Sequence, residues 1–192
     1  MGRQREFHPD DALDAALTMF WNKGYEGTSY ADLSAATGVA RPGLYAVFGN
    51  KEELFFKVLD RYEALYMGFM QDALKLPKAK AVIETILRGS IDVQTSHDSS
   101  KGCLGINGAI ACTEPAEPVR QELVRRRLVT QDALTLRLQR AQDEGDLPSI
   151  WVPEDLARFV MAMTQGMAIQ AKAGATAQQL NRMADMLLAQ LP

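Results

Sequence analysis

Residues 41–45 place a guanidinium, a pyrrolidine ring, a glycine and a phenol in close succession: Arg41, Pro42, Gly43 and Tyr45. Side chains that are small, planar or cationic suit close approach to phosphates and base edges, and an arginine gripping guanine with two hydrogen bonds is the commonest base-specific pairing. No Asp or Glu falls between Leu33 and Lys51, and Lys51 adds a second cation. A different chemistry attaches to Cys103. It follows Lys101 and Gly102 at the expected start of a helix, where the helix dipole and a nearby cation favour the thiolate. The competing reading is a small buried hydrophobe, which is also the reading for Cys112.

Other chemistries lack their residues. Two cysteines and two histidines, His8 and His97, make neither a disulfide framework nor a zinc set. No nucleophile stands beside a base, and the glycines of Gly102–Gly108 follow no strand, so they form no dinucleotide loop. The expectation is a protein that is not an enzyme, with no cofactor and no metal.

Helices must position these groups. Leu13, Ala16, Leu17 and Phe20 recur at helical spacing, with Pro9 and early acids at the start and Gly24 at the end. Ser29 with Asp32, and Asn50 with Glu53, are spaced to cap two further helices. Between them, Tyr30–Thr37 and a helix from Arg41 flank Gly38-Val39-Ala40, the geometry of a helix–turn–helix. Gly38 suits a left-handed cap and Val39 a plug in the angle, while Leu44, Val47 and Phe48 are expected to face the core. The fourth helix is expected from Lys51 to about Leu74. Softer patterns predict helices near 78–95, 103–112, 118–144, 153–173 and 176–191. The fold class expected is all-α, about nine helices, with a helix–turn–helix unit at 1–50 and a helical unit at 51–192.

At this point the run FWNKGYEGTSYADLSAATGVARPGLYAVFGNKEELF resembles the N-terminal motif of the TetR family of ligand-responsive transcriptional repressors. Aromatic-x-x-x-Gly-Tyr, Thr-Ser, Asp-Leu, Thr-Gly-Val, Leu-Tyr-x-x-Phe and Lys-Glu-x-Leu-Phe stand in register. The resemblance implies that Thr28 meets a phosphate through hydroxyl and amide, that Tyr45 and Lys51 are phosphate contacts, and that Arg41 reads a base. Ala40 departs from the Ser or Thr often found before the recognition helix, and removes one polar contact. Gly43 either lets the backbone approach DNA or softens the helix. The resemblance further implies a homodimer paired through the last two helices, a palindromic double-stranded operator and a small-molecule effector. It also implies that Cys103 sits where some relatives carry a thiol that senses electrophiles or oxidants. The alternative is a helical ligand-binding or interaction protein without DNA binding.

Charge sharpens the reading. The net charge of −3 speaks against a nucleic-acid partner, since phosphate contacts need clustered cations. Residues 1–60 hold six Lys/Arg against nine Asp/Glu, yet the acids avoid 33–51. Arg3 and Arg5 form a basic arm suited to a groove, or else a free tail. For an effector cavity the candidates are Met67, Met70, Trp151, Met161, Met163 and Met167, with Asn107 and Gln165 as polar handles. No window has the length of a membrane span and the N-terminus has no apolar stretch, so a cytoplasmic protein is expected.

Overall fold

The computed structural model describes residues 8–96, 101–107 and 113–192. Arg3, Arg5, His97 and Cys112 lie outside them. Among the described residues every regular element is a helix, with no strand.

Helix α1 (Pro9–Gly27) opens with proline and Asp10 and Asp11, which suit the positive end of the dipole. Its regular path breaks at Gly24, whose φ of 73° lies in the left-handed region. Helix α2 (Tyr30–Thr37) has the full capping box of Ser29 and Asp32 and stops at left-handed Gly38. Helix α3 (Arg41–Phe48) follows after three residues, and Val39 is buried in the angle as expected. Helix α4 (Lys51–Tyr66) starts on the Asn50–Glu53 box.

The fourth helix does not continue to Leu74. It breaks at Met67, and a separate helix α5 (Gly68–Ala73) takes over. Gly68, a poor helix former, stands at the break. Helices α6 (Ala79–Thr95), α7 (Leu104–Asn107), α8 (Glu117–Asp143), α9 (Pro153–Lys172) and α10 (Ala177–Leu188) follow the predicted segments, α7 only in part because residues 108–112 are not described. A short 3-10 turn, Glu114–Ala116, precedes α8. Thr176 and Gln179 form a third capping box.

The apolar residues gather into two cores. One joins Phe20 and Trp21 of α1, Leu33, Leu44 and Phe48 to Leu54, Phe55, Val58 and Tyr62 of α4, and is completed by Leu104, Val119 and Leu123. The other lies among α5, α6, α9, α10 and the second half of α8. The expected division at residue 50 therefore leaves α4 in the second unit while its apolar face packs in the first.

Ion pairs tie α4 to its neighbours. Arg61 grips both carboxylate oxygens of Asp14 on α1, at 2.8 and 2.9 Å. Arg126 of α8 meets Asp60 at 2.6 Å and Glu63 at 3.0 Å on α4, and Glu122 at 2.7 Å. Its carboxylate partners outweigh its partial burial and hold the Arg126 charge more firmly than usual.

Candidate nucleic-acid interface and interior cavity

Across α2, α3 and the adjoining ends of α1 and α4, three aromatic residues and two cations make one connected cluster. The rings of Tyr30 and Tyr45 stack with centroids 5.2 Å apart, and the Arg41 guanidinium lies 4.0 Å from the Tyr30 centroid. Tyr30 donates its hydroxyl to Tyr45 at 2.7 Å and accepts the backbone N–H of Lys51 at 2.9 Å. Arg41 donates to the Tyr45 hydroxyl at 3.2 Å. Tyr45 thus accepts twice, and these two bonds lower its phenol below the ordinary value. Its own O–H remains available to an outside acceptor such as a phosphate oxygen. The Lys51 ammonium rests 4.5 Å from the Tyr25 ring centre, and burial lowers its affinity for the proton.

The site residues expected from sequence fare differently. Arg41, Pro42, Gly43, Tyr45 and Lys51 fall on or beside α3, with Arg41 parked over tyrosine rather than extended. Thr28 is corrected. It is fully buried, its hydroxyl donates to the Gly24 carbonyl at 2.7 Å and its amide is engaged by Tyr25, so it braces the break in α1 from inside. Val47 is also corrected, being 42% exposed where the sequence placed it in the core. An eight-residue helix seals its inner side with Leu44 and Phe48 alone. At Gly43 the structure adds a packing reason for glycine: a Cβ there would stand 2.9 Å from Val39 Cγ1. Tyr30 and Tyr25 are the residues that sequence reasoning missed. The signal for Tyr30 was its place at the first position of α2, next to the capping Ser29.

A cavity of about 650 Å³ opens between α4 and α8 and runs inward to α5, α6 and α9. Leu59, Met67, Met70, Ile86, Leu134 and Met161 supply apolar wall, and Cys103 and Gln165 also line it. The Tyr62 hydroxyl approaches Cys103 Sγ at 3.7 Å, and burial keeps that phenol protonated well above its usual range.

Four other expected cavity residues lie elsewhere. Asn107 donates to the Trp21 carbonyl at 3.0 Å and the Lys101 carbonyl at 3.3 Å, clamping α7 onto α1. Met167 is solid core, because its face of α9 points into the second cluster. Trp151 and Met163 line a shallow apolar depression on the α9–α10 surface with Phe159, Met183 and Met186. There Met186 is 74% and Ile150 84% exposed.

Between interface and cavity runs a short train of hydrogen bonds. Trp21 of α1 donates its indole N–H to the Gly102 carbonyl at 3.0 Å, and Gly102 donates its own amide to the Gln94 carbonyl at 3.0 Å. Gly102 has φ of +83°, and an added Cβ would press on the Ala168 carbonyl of α9 at 3.0 Å. Trp21, buried, also packs edge-on against Tyr62, a residue of the cavity wall.

Comparison with known proteins agrees with this layout. Residues 12–58 match the family described as bacterial regulatory proteins, tetR family, and residues 79–187 match the tetracyclin repressor-like C-terminal domain. The HTH-type transcriptional repressor ComR of Escherichia coli K12 is 34% identical over 189 residues, 97% of this chain and 90% of that protein. The HTH-type regulator YezE of Bacillus subtilis is 31% identical over 77% of this chain and 76% of its own length. Among solved structures, a cysteine-substituted form of the TetR family transcriptional regulator CifR, in complex with 26-base-pair double-strand operator DNA, superposes with a TM-score of 0.92 at 33% identity and covers 100% of both chains.

Proposed function

Because the chain belongs to the tetR family of bacterial regulatory proteins and is a DNA-binding transcriptional regulator rather than an enzyme, we propose that it is a homodimeric repressor released from a palindromic operator by a small molecule. The reading is carried by one observation: the cavity wall is bonded, through Gly102, to Trp21 of the DNA-binding unit. In this mechanism the α3 helices of the two subunits enter successive major grooves. Arg41 leaves its tyrosine platform to read a base, while Tyr45 and Lys51 hold phosphates and Gly43 keeps α3 close to the turn. A ligand that prefers the conformation with misplaced α3 helices lowers operator affinity by its differential affinity for that state. Two routes can carry the strain, α4 with its Arg61 and Arg126 tethers, and the Gln94–Gly102–Trp21 train.

The exposed apolar surface of α9 and α10 supports pairing with a second copy, since a patch of this kind on a monomer marks an interaction site. The cytoplasm, where operator DNA lies, is the setting; no helix among the described residues is long and apolar enough to cross a membrane. A second route to release is modification of Cys103, which is partly exposed and lines the cavity. If Cys103→Ser leaves release by electrophiles or peroxide unchanged, that route is closed.

The test is a gel shift against the chain's own upstream DNA, wild type beside Arg41→Ala and Tyr45→Phe. Specific binding by wild type that is lost in the variants is the expected result. No specific shift by wild type would favour a ligand-binding protein without DNA recognition.

A further inference from the structure

The buried stripes of three helices each turn polar where they pass the cavity. On α6 the stripe runs Val82, Ile83, Ile86, Leu87, and then Ser90 and Gln94. On α9 it runs Leu156, Val160, Thr164, Met167. On α8 it runs Val119, Leu123, then Arg127 and Thr130, before Leu134 and Leu138 restore it. Helical spacing puts Arg127 four residues after buried Leu123 and seven before buried Leu134, on the inward face. All five polar residues line the same cavity.

Three of these side chains make internal hydrogen bonds. Thr164 donates to the Met161 carbonyl, Thr130 to the Arg126 carbonyl, and Gln94 donates its amide to the Thr164 carbonyl at 3.0 Å. Two of the remaining groups stand apart. The Gln94 Oε1 is buried with no hydrogen-bond partner, in a residue only 4% exposed. Arg127 is half-buried and its side chain, among the described residues, makes no hydrogen bond or ion pair, while its neighbours Arg125 and Arg126 are both paired with carboxylates. A buried acceptor left without a partner is costly, and a half-buried guanidinium on the cavity wall with no carboxylate of its own is free to take one.

We infer that the cavity takes an organic carboxylate with an apolar body, its anion held by Arg127 and a hydroxyl or amide donor on the body meeting Gln94 Oε1. Resting on the effector reading above, this names the ligand's class. The volume of about 650 Å³ lies within the range of pockets for small organic ligands. A carboxylate satisfies the guanidinium with two parallel hydrogen bonds, and a neutral alcohol of the same shape does not. Arg125 and Arg126 contribute less, since Glu122, Asp60 and Glu63 already neutralise them.

The experiment is calorimetric titration of the full-length protein with decanoate, 3-hydroxydecanoate and 1-decanol, and with 4-phenylbutyrate beside 4-phenylbutanol. Wild type is expected to bind an acid about 10- to 100-fold more tightly than its alcohol, and 3-hydroxydecanoate more tightly than decanoate. Arg127→Gln should abolish the acid preference while leaving alcohol binding unchanged, and Gln94→Leu should abolish only the gain from the 3-hydroxyl. Equal binding of acid and alcohol by wild type, failure of every acid to bind, or an acid preference that survives Arg127→Gln overturns the assignment. Operator release is read separately by gel shift. Arg127-dependent binding without release would sink the effector reading and leave the ligand class standing; release by the alcohols alone would do the reverse.

Discussion

Replacing Gly43 by alanine sets two opposing effects against each other inside the reading head. Alanine is the better helix former, and in a helix interior the exchange gains up to about 1 kcal/mol. The new methyl, however, would sit 2.9 Å from Val39 Cγ1, where carbon pairs prefer about 3.5–4.0 Å. Val39 is a buried, β-branched residue wedged in the turn between α2 and α3, so it cannot swing away freely. Overpacking of this kind costs about 1–3 kcal/mol. The clash therefore cancels or exceeds the propensity gain, and Gly43→Ala should be neutral to about 2 kcal/mol less stable. In a Val39→Ala background the obstruction is gone, and the same exchange should stabilise by up to about 1 kcal/mol. A double-mutant cycle from urea midpoints followed by circular dichroism should thus return a coupling of about 1–3 kcal/mol. Operator affinity should fall in the single variant, because relief comes from opening the angle between α2 and α3. If Gly43→Ala alone raises stability by about 1 kcal/mol, the close packing of α3 on Val39 is not what selects glycine here.

Three further outcomes are expected. Tyr30→Phe keeps the ring stack but strands the Lys51 amide and removes the bond to Tyr45, so urea unfolding should show a loss of about 0.5–1.5 kcal/mol and gel shifts weaker operator binding; wild-type values in both would contradict the role given to this hydroxyl. Hydrogen bonds from Arg125 and, against some burial, from Arg126 lower the Glu122 carboxyl from 4.5 to about 2. Its folded pKa is depressed, so the stability it contributes is present above about pH 4.5 and is lost as pH falls toward 2, and Glu122→Gln should flatten that part of a stability–pH curve. Met186→Glu places a charge in the apolar α9–α10 face and should shift sedimentation from dimer to monomer at micromolar concentration; an unchanged dimer would move the interface elsewhere.

Local signals carried much of this fold into view. Both N-terminal capping boxes and the left-handed turn at Gly38 depend on residues three or four apart, and each formed where the spacing placed it. The break at Met67 was harder to read, because Tyr66 and Phe69 continue an apolar pattern across it and only the weak signal of Gly68 marks it. Thr28 shows a different limit. Its hydroxyl could as well face solvent as reach back to Gly24, and the choice depends on the kink in α1. In the cavity, methionine type did not separate Met67 and Met161, which line it, from Met167, which fills core. Asn107 did not take its expected part in the cavity. A polar amide that suited ligand contact is spent on α1, while Arg127, which no sequence signal singled out, lines the cavity.

The packing of α4 into the first core decides where this chain can be cut. A fragment ending at residue 50 would keep the reading helix and discard Leu54, Phe55, Val58 and Tyr62, the floor on which Phe20 and Phe48 rest. A fragment ending at Tyr66 would retain that floor but still expose the ground covered by Leu104, Val119 and Leu123. The seam available for recombination is therefore a contact surface, not a point in sequence. Grafting this head onto a different sensor body would succeed where the new body presents three apolar side chains in the places of those residues, and would otherwise give a head that misfolds despite carrying every residue proposed to contact DNA.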